Sequence, residues 1–201
     1  MKIGIYAGTF DPIHNGHLEF AKQALVEAGL DRVIIVAEKS PYRKKPEASW
    51  DHRQAMIERA TKDTLNVDHD YEFANQLAQQ HTMTDMLATA KKHYGGEAQI
   101  WFLVGSDIYE HMHQWHDMVG NESYSGFIVA LRDDHTHDWL EQQHQRLEKL
   151  GRRPNAIVLE SQHRRISSSA IREAASKGEA TSTTPNQVGD YILRHRLYDR
   201  S

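Results

Sequence analysis

The stretch KIGIYAGTFDPIHNGHLEFAKQALVEAGLDRVIIVA, residues 2–37, decides the fold. Residues 2–8 form a short apolar run ending in glycine, as expected of a strand buried in a parallel sheet. Leu18, Ala21, Leu25 and Ala28 then recur at helical spacing, and Gly29 is placed to stop that helix. Residues 32–37 read as a second strand. Strand, helix, strand within about forty residues is a βαβ unit, which demands a right-handed crossover. Between the first strand and the helix stand two histidines, His14 and His17. Metal ligation, core filling and phosphate handling are the three readings open to them.

Farther along, the same alternation continues. Residues 38–49 lack periodicity and contain two prolines, so they read as a loop. A helix capped by Ser49 or Asp51 follows. A weak β stretch is expected over 68–76, and a helix with a Thr82–Asp85 capping box and a double-glycine stop over 81–96. Strands are expected at 98–105, 125–132 and 156–160. Helices are expected from Ser106, over 138–150, before Gly178, and at the C-terminus. Strands alternating with helices in this way predict an α/β fold: a doubly wound, Rossmann-like, mostly parallel sheet of five or more strands with helices on both faces. No internal repeat or linker divides the chain, so residues 1–201 are expected to form one domain, with a helical segment from about 167 to 201 packed on it.

Composition narrows the function. The chain of 201 residues is 39% hydrophobic and 26% charged, in the globular range. It has no cysteine, which excludes disulfides, thiol nucleophiles and thiolate metal sites and fits a reducing cytoplasm. No run approaches the roughly eighteen apolar residues of a membrane span, and no signal-peptide pattern opens the chain. A formal net charge of −4 gives no general affinity for nucleic acid or anionic membrane. The expectation is a cytoplasmic protein acting on small molecules, for which homo-oligomerisation stays open.

In an open parallel sheet, ligands bind beyond the carboxyl ends of the strands, where strand order reverses. GTFDPIHNGH, residues 8–17, is the turn at such an end. Gly8 lets a ligand approach the backbone, Asp11–Pro12 sets a turn, and Gly16 permits close packing where the helix begins. His17 stands near that helix N-terminus, whose N–H groups and dipole favour an anion, and His14 points into the same space. The site offers convergent donors and no nucleophile, which suits charge stabilisation in transfer at phosphorus. Core filling is disfavoured by the position on a glycine turn. Metal ligation is disfavoured for lack of partners, and no metal site is expected. In the histidine-rich stretch 111–116, His111 and His113 diverge by about 200° on a helix.

The second informative stretch is RRISSSAIREAASKG, residues 164–178. Its serines suit a helix N-cap, and hydroxyls with N–H groups there can hold phosphate. Arg172 follows about one turn after Ser168 and reaches the same anion.

GTFDPIHNGH matches the G-x-F-D-P-x-H-x-G-H signature of the nucleotidyltransferase superfamily related to class I aminoacyl-tRNA synthetases. ISSSAIR resembles that superfamily's second motif, I-S-S-[ST]-x-[IL]-[RK]. The resemblance implies nucleotidyl transfer from ATP, with Mg²⁺. His14, His17 and Arg172 inherit the catalytic roles. Gly8, Thr9, Phe10, Gly16, Ser167 and Ser168 join them in ATP binding.

Over nearly the whole chain the resemblance is to the bacterial nicotinate-mononucleotide adenylyltransferases. FLVGSD (102–107) is similar to that family's strand and Gly-small-Asp, which implies Gly105 near the adenine and Asp107 near the ribose. QWHDM (114–118) resembles its tryptophan segment, which implies Trp115 in the acceptor pocket. Thr84, Lys39 and Arg43 complete the implied acceptor residues. The loops at 38–46 and 81–87 depart from the family pattern, so a different phosphorylated acceptor, such as phosphopantetheine, and a non-catalytic nucleotide sensor stand as alternatives.

Overall fold

The computed structural model describes residues 1–41, 45–80, 82–112, 125–131, 136–149, 155–160, 166–179 and 182–199. Six strands form one sheet in the order β3-β2-β1-β4-β5-β6, and every pairing is parallel. They are β1 Lys2–Gly8, β2 Arg32–Ala37, β3 Val67–Asp68, β4 Gln99–Gly105, β5 Gly126–Leu131 and β6 Ala156–Glu160. The helices are α1 Asn15–Glu27, α2 Trp50–Thr61, α3 Tyr71–Leu77, α4 Met83–Tyr94, α5 Ser106–Tyr109, α6 His137–Lys149, α7 Ser168–Ser176 and α8 Asn186–Arg194. This is the doubly wound architecture expected from the sequence.

The sheet separates two cores. On one face Val33 and Ile35 pack with Leu18, Phe20, Met56, Ile57, Val188 and Ile192, so α1, α2 and α8 cover that side. On the other, Ile34 and Val36 pack with Phe73, Leu87 and Leu140 from α3, α4 and α6. The uninterrupted apolar run of β2 follows from burial on both faces. Gly4 lies in β1 where a Cβ would stand 2.7 Å from Leu30 and 2.8 Å from Leu103, so only hydrogen fits without repacking.

Expected boundaries of the strands hold to within a residue or two, α2 and α8 end about four residues before the expected 65 and 198, and two further details differ. Ser49, not Asp51, caps α2, its hydroxyl accepting from the His52 N–H at 3.3 Å. The expected β stretch at 68–76 is mostly helix. Only Val67–Asp68 pairs with β2, and α3 begins at Tyr71. The Asp70 carboxylate accepts from the Phe73 N–H at 2.9 Å, an N-cap that competes with strand extension. Phe73, Ala74 and Leu77 then share one buried helical face.

No helix among the described residues is long and apolar enough to cross a membrane.

Candidate active site

Strand order reverses between β1 and β4, and there the sheet opens. The β1–β2 ladder runs to Gly8↔Ala37, but the β1–β4 ladder ends at Ile5↔Phe102. The last residues of β1 and β4 therefore diverge, leaving a crevice at the carboxyl end of the sheet, the place where such folds bind ligands. Gly8 borders it on one side. Gly105, the N-cap of α5, and Asp107 in the first turn of α5 border it on the other.

The turn from Gly8 into α1 is tightly organised. His14 is the N-cap of α1 and His17 lies in its first turn. The His14 N–H donates to His17 Nδ1 at 3.2 Å. Because that donor is a backbone N–H, Nδ1 must be the accepting nitrogen, and the neutral ring carries its proton on Nε2. The two rings stack with centroids 3.6 Å apart. His14 is only 6% exposed, so the expectation that neither histidine fills space holds for His17 alone. Capping a helix tucks the His14 ring against its neighbour rather than into open solvent. Phe10 adopts φ +47° and is buried, with its ring edge-on to Tyr6 and His17 at 5.1 and 4.9 Å. A Cβ at Gly8 would stand 3.1 Å from the Phe10 ring, so the glycine makes room for that packing. Phe10 thus has only its backbone to offer a ligand, and its side chain props His17.

The second signature is brought onto the first. Ser167 caps α7, accepting from the Ala170 N–H at 3.2 Å. Ser168 Oγ donates to the Pro12 carbonyl at 2.9 Å. Arg172 donates through Nη1 to the Asp11 carbonyl at 2.8 Å, through Nε to Glu47 at 2.8 Å, and through Nη2 to Ser169 Oγ at 3.3 Å. The peptide bond between Asp11 and Pro12 is cis.

Three residues that sequence reasoning did not place in the site organise it. The buried Asp11 carboxylate accepts from the Glu47 N–H at 2.7 Å, the Ala48 N–H at 3.1 Å and the Tyr198 hydroxyl at 2.8 Å. Burial, the Asp11 charge and that hydrogen bond together push the Tyr198 hydroxyl well above its ordinary pKa. Arg53, 1% exposed, donates through Nη1 to the Thr9 carbonyl at 2.7 Å and the Glu38 carbonyl at 2.8 Å, tying the signature turn to the loop after β2. Burial lowers its pKa while the charges of Asp11, Tyr198 and Glu38 oppose that shift. The third is Glu47. The available signal was Arg53 itself, a cation on the same buried face of α2 as Met56, Ile57 and Ala60.

Among the residues expected on the acceptor side, Lys39 is exposed, with Nζ 5.4 Å above the ring of Trp50. Trp50 donates through its indole N–H to the Ala37 carbonyl at 2.8 Å, at the carboxyl end of β2. Thr84 lies half-buried in the first turn of α4. Arg43 and Trp115 fall outside the described residues, as do His113 and His116. Among the described residues no group of three or more His, Asp or Glu could hold a metal ion.

The chain matches the family described as cytidylyltransferase-like over residues 5–174. A "Probable nicotinate-nucleotide adenylyltransferase" of Neisseria meningitidis is 32% identical over 202 residues, covering 99% of each chain. One from Desulfotalea psychrophila is 30% identical, covering 98% of this chain and 99% of the relative. Among solved structures, a nicotinic acid mononucleotide adenylyltransferase of Plasmodium falciparum complexed with NaAD superposes with a TM-score of 0.78 at 19% identity. That match covers 100% of this chain and 98% of the other, and it shows a shared fold.

Proposed function

The chain belongs to the cytidylyltransferase-like family, in the branch of the nicotinate-nucleotide adenylyltransferases, and on that premise we propose that it transfers AMP from ATP to nicotinate mononucleotide. In this reaction an oxygen of the acceptor phosphate attacks the α-phosphorus of ATP. The bond from that phosphorus to the β-phosphate bridging oxygen breaks, and pyrophosphate leaves with the electron pair. The product is a dinucleotide made in NAD biosynthesis.

One observation carries the reading. Ser168 and Arg172 bond the carbonyls of Pro12 and Asp11, so both phosphate-handling motifs meet beside the open end of β1. His17, with its Nε2–H directed by the bond at Nδ1, and the N-terminus of α1 supply donors for phosphate oxygens. Arg172 and the N–H groups at the N-terminus of α7 supply the opposing donors, the Ser168 hydroxyl hydrogen being engaged by Pro12. Such preorganised donors stabilise charge as it moves to the leaving group, and no covalent intermediate is needed. Across the crevice, Gly105 and Asp107 take the nucleoside. Thr84, Trp115, Lys39 and Arg43 belong to the acceptor side. Mg²⁺ would enter as MgATP, held by phosphate oxygens rather than by a protein cage, in keeping with its preference for retained water and substrate phosphates.

The test is pyrophosphate release by the purified protein with ATP and Mg²⁺ and a panel of acceptors. Nicotinate mononucleotide, nicotinamide mononucleotide and phosphopantetheine are the discriminating members. Turnover preferring the first supports the proposal. Turnover with phosphopantetheine alone moves the protein to another branch, and ATP binding without release from any acceptor makes it a sensor.

A further inference from the structure

Arg172, Glu47 and Asp11 form a closed circuit. The Asp11 carboxylate holds the Glu47 N–H, the Glu47 carboxylate holds Arg172 Nε, and Arg172 Nη1 returns to the Asp11 carbonyl. The three contacts span 36, 125 and 161 residues of sequence. We propose that Glu47 is a positioning residue, fixing the Arg172 guanidinium so that its remaining N–H groups face the phosphate site. This rests on the reading of Arg172 as a triphosphate ligand.

The donor inventory supports the role. A guanidinium has five N–H groups in a planar fork. Glu47 takes the one on Nε, the Asp11 carbonyl one on Nη1, and Ser169 Oγ one on Nη2. One N–H on each terminal nitrogen is left, the number needed for a two-pronged contact with phosphate oxygens. Glu47 cannot wander, because its own N–H and that of Ala48 are pinned to Asp11. The ion pair is half-exposed, with side-chain exposures of 22% for Arg172 and 40% for Glu47. A pair this wet adds little to stability, so its geometric effect is the larger one. Residue 47 also lies between β2 and α2, so its carboxylate ties that segment to α7.

The experiment is steady-state kinetics on the whole protein with ATP, Mg²⁺ and nicotinate mononucleotide, comparing Glu47→Ala, Glu47→Gln, Arg172→Ala and the double variant Glu47→Ala/Arg172→Ala. Glu47→Ala is expected to raise KM for ATP roughly tenfold or more, the worth of one hydrogen bond to a charged group, with KM for the acceptor little changed. Glu47→Gln, which retains an acceptor oxygen for Nε, recovers most of that loss. The double variant is no worse than Arg172→Ala, because Glu47 acts only through that arginine. An unchanged KM for ATP in Glu47→Ala beside a crippled Arg172→Ala overturns the inference alone. So does a glutamine variant as impaired as the alanine one, or a full additive loss in the double variant. Normal turnover in Arg172→Ala overturns the reading of the site itself, and this inference with it.

Discussion

Replacing Asp11 tests whether the signature turn is held from beneath. Asp11 is 4% exposed, and its carboxylate accepts three hydrogen bonds, two of them, from the Ala48 N–H and the Tyr198 hydroxyl, buried. Asp11→Ala strands those two donors, and each stranded buried donor costs about 1–3 kcal/mol. The Glu47 N–H is partly reachable by water and adds less. Arg53, whose buried charge Asp11 supports, loses that support as well. Against this, the variant no longer carries the desolvation cost of a buried carboxylate, which offsets part of the loss. The net expectation is about 3 kcal/mol. Asp11→Asn keeps an acceptor oxygen for Ala48 and Tyr198 but turns its amide N–H₂ toward the Glu47 N–H, donor against donor, for about 1–2 kcal/mol.

In a domain of this size 1 kcal/mol moves the melting midpoint by about 2–4 °C. Asp11→Ala should therefore melt about 6–12 °C below wild type and Asp11→Asn roughly half as far below. Urea unfolding should show the same order with an unchanged slope. Tyr198→Phe should cost about 1 kcal/mol in the wild-type background and almost nothing in Asp11→Ala, because the hydroxyl's partner is already gone. An Asp11→Ala protein melting within a degree of wild type would refute the reasoning, as would an asparagine variant less stable than the alanine one.

Other perturbations have equally definite outcomes. His17→Ala should keep its fold, seen as an unchanged near-ultraviolet circular dichroism spectrum, and lose turnover by roughly a hundredfold or more, the scale of a lost charge-stabilising donor; near-normal turnover in the folded variant would remove His17 from the mechanism. The Tyr198 hydroxyl is held protonated above its unfolded value of about 10, so its contribution to stability is fully present below about pH 10 and is lost as pH rises further. Tyr198→Phe should flatten that alkaline loss in urea titrations, leaving the share due to Tyr94, which burial and Asp70 shift the same way. Gly126→Ala should cost more than about 3 kcal/mol and be seen as lost soluble yield or a lowered urea midpoint. Gly126 has φ +153°, and its Cβ would collide with the Asn155 carbonyl oxygen and stand 2.7 Å from the Trp101 ring.

What the sequence could reveal divides along the range of the interactions. The βαβ start, the caps of α2, α4 and α7, and both motifs are local patterns, and each was readable from neighbours within a turn or a strand. Residues 68–76 misled because a short β-like run and a capped helix of seven residues look alike until Asp70 is seen to accept from Phe73. His14 misled because burial depends on what stacks on it, and the 3.6 Å contact with His17 is a property of the folded turn. Asp11 stood inside the first motif and Arg53 on the buried face of α2, but neither these nor Glu47 revealed its partners locally. Their partners lie on other elements, and only the packing of α2 and the C-terminal segment against the turn reveals them.

The topology explains why the second motif needed the structure to give it meaning. In the order β3-β2-β1-β4-β5-β6, the strand that precedes α7 is at the sheet's far edge, three places from β1. A helix following β6 would ordinarily cover β5 or β6, and nothing in ISSSAIR says otherwise. Instead α7 crosses the carboxyl end of the sheet and fastens to Pro12 and Asp11. The fastening uses the same Ser168 and Arg172 that the motif assigns to phosphate, so the Ser168 backbone N–H and the other Arg172 N–H groups are aimed by contacts with the first motif. Each motif therefore fixes the geometry of the other. On the proposed reading, a change that loosens Ser168 from Pro12 should weaken ATP binding even though the Ser168 backbone N–H is kept. Ser168→Thr tests this: it retains the hydroxyl while crowding the 2.9 Å bond, and a rise in KM for ATP with acceptor KM unmoved is the expected result. Equal KM values in Ser168→Thr and wild type would show that the Ser168–Pro12 bond does not aim α7 at ATP.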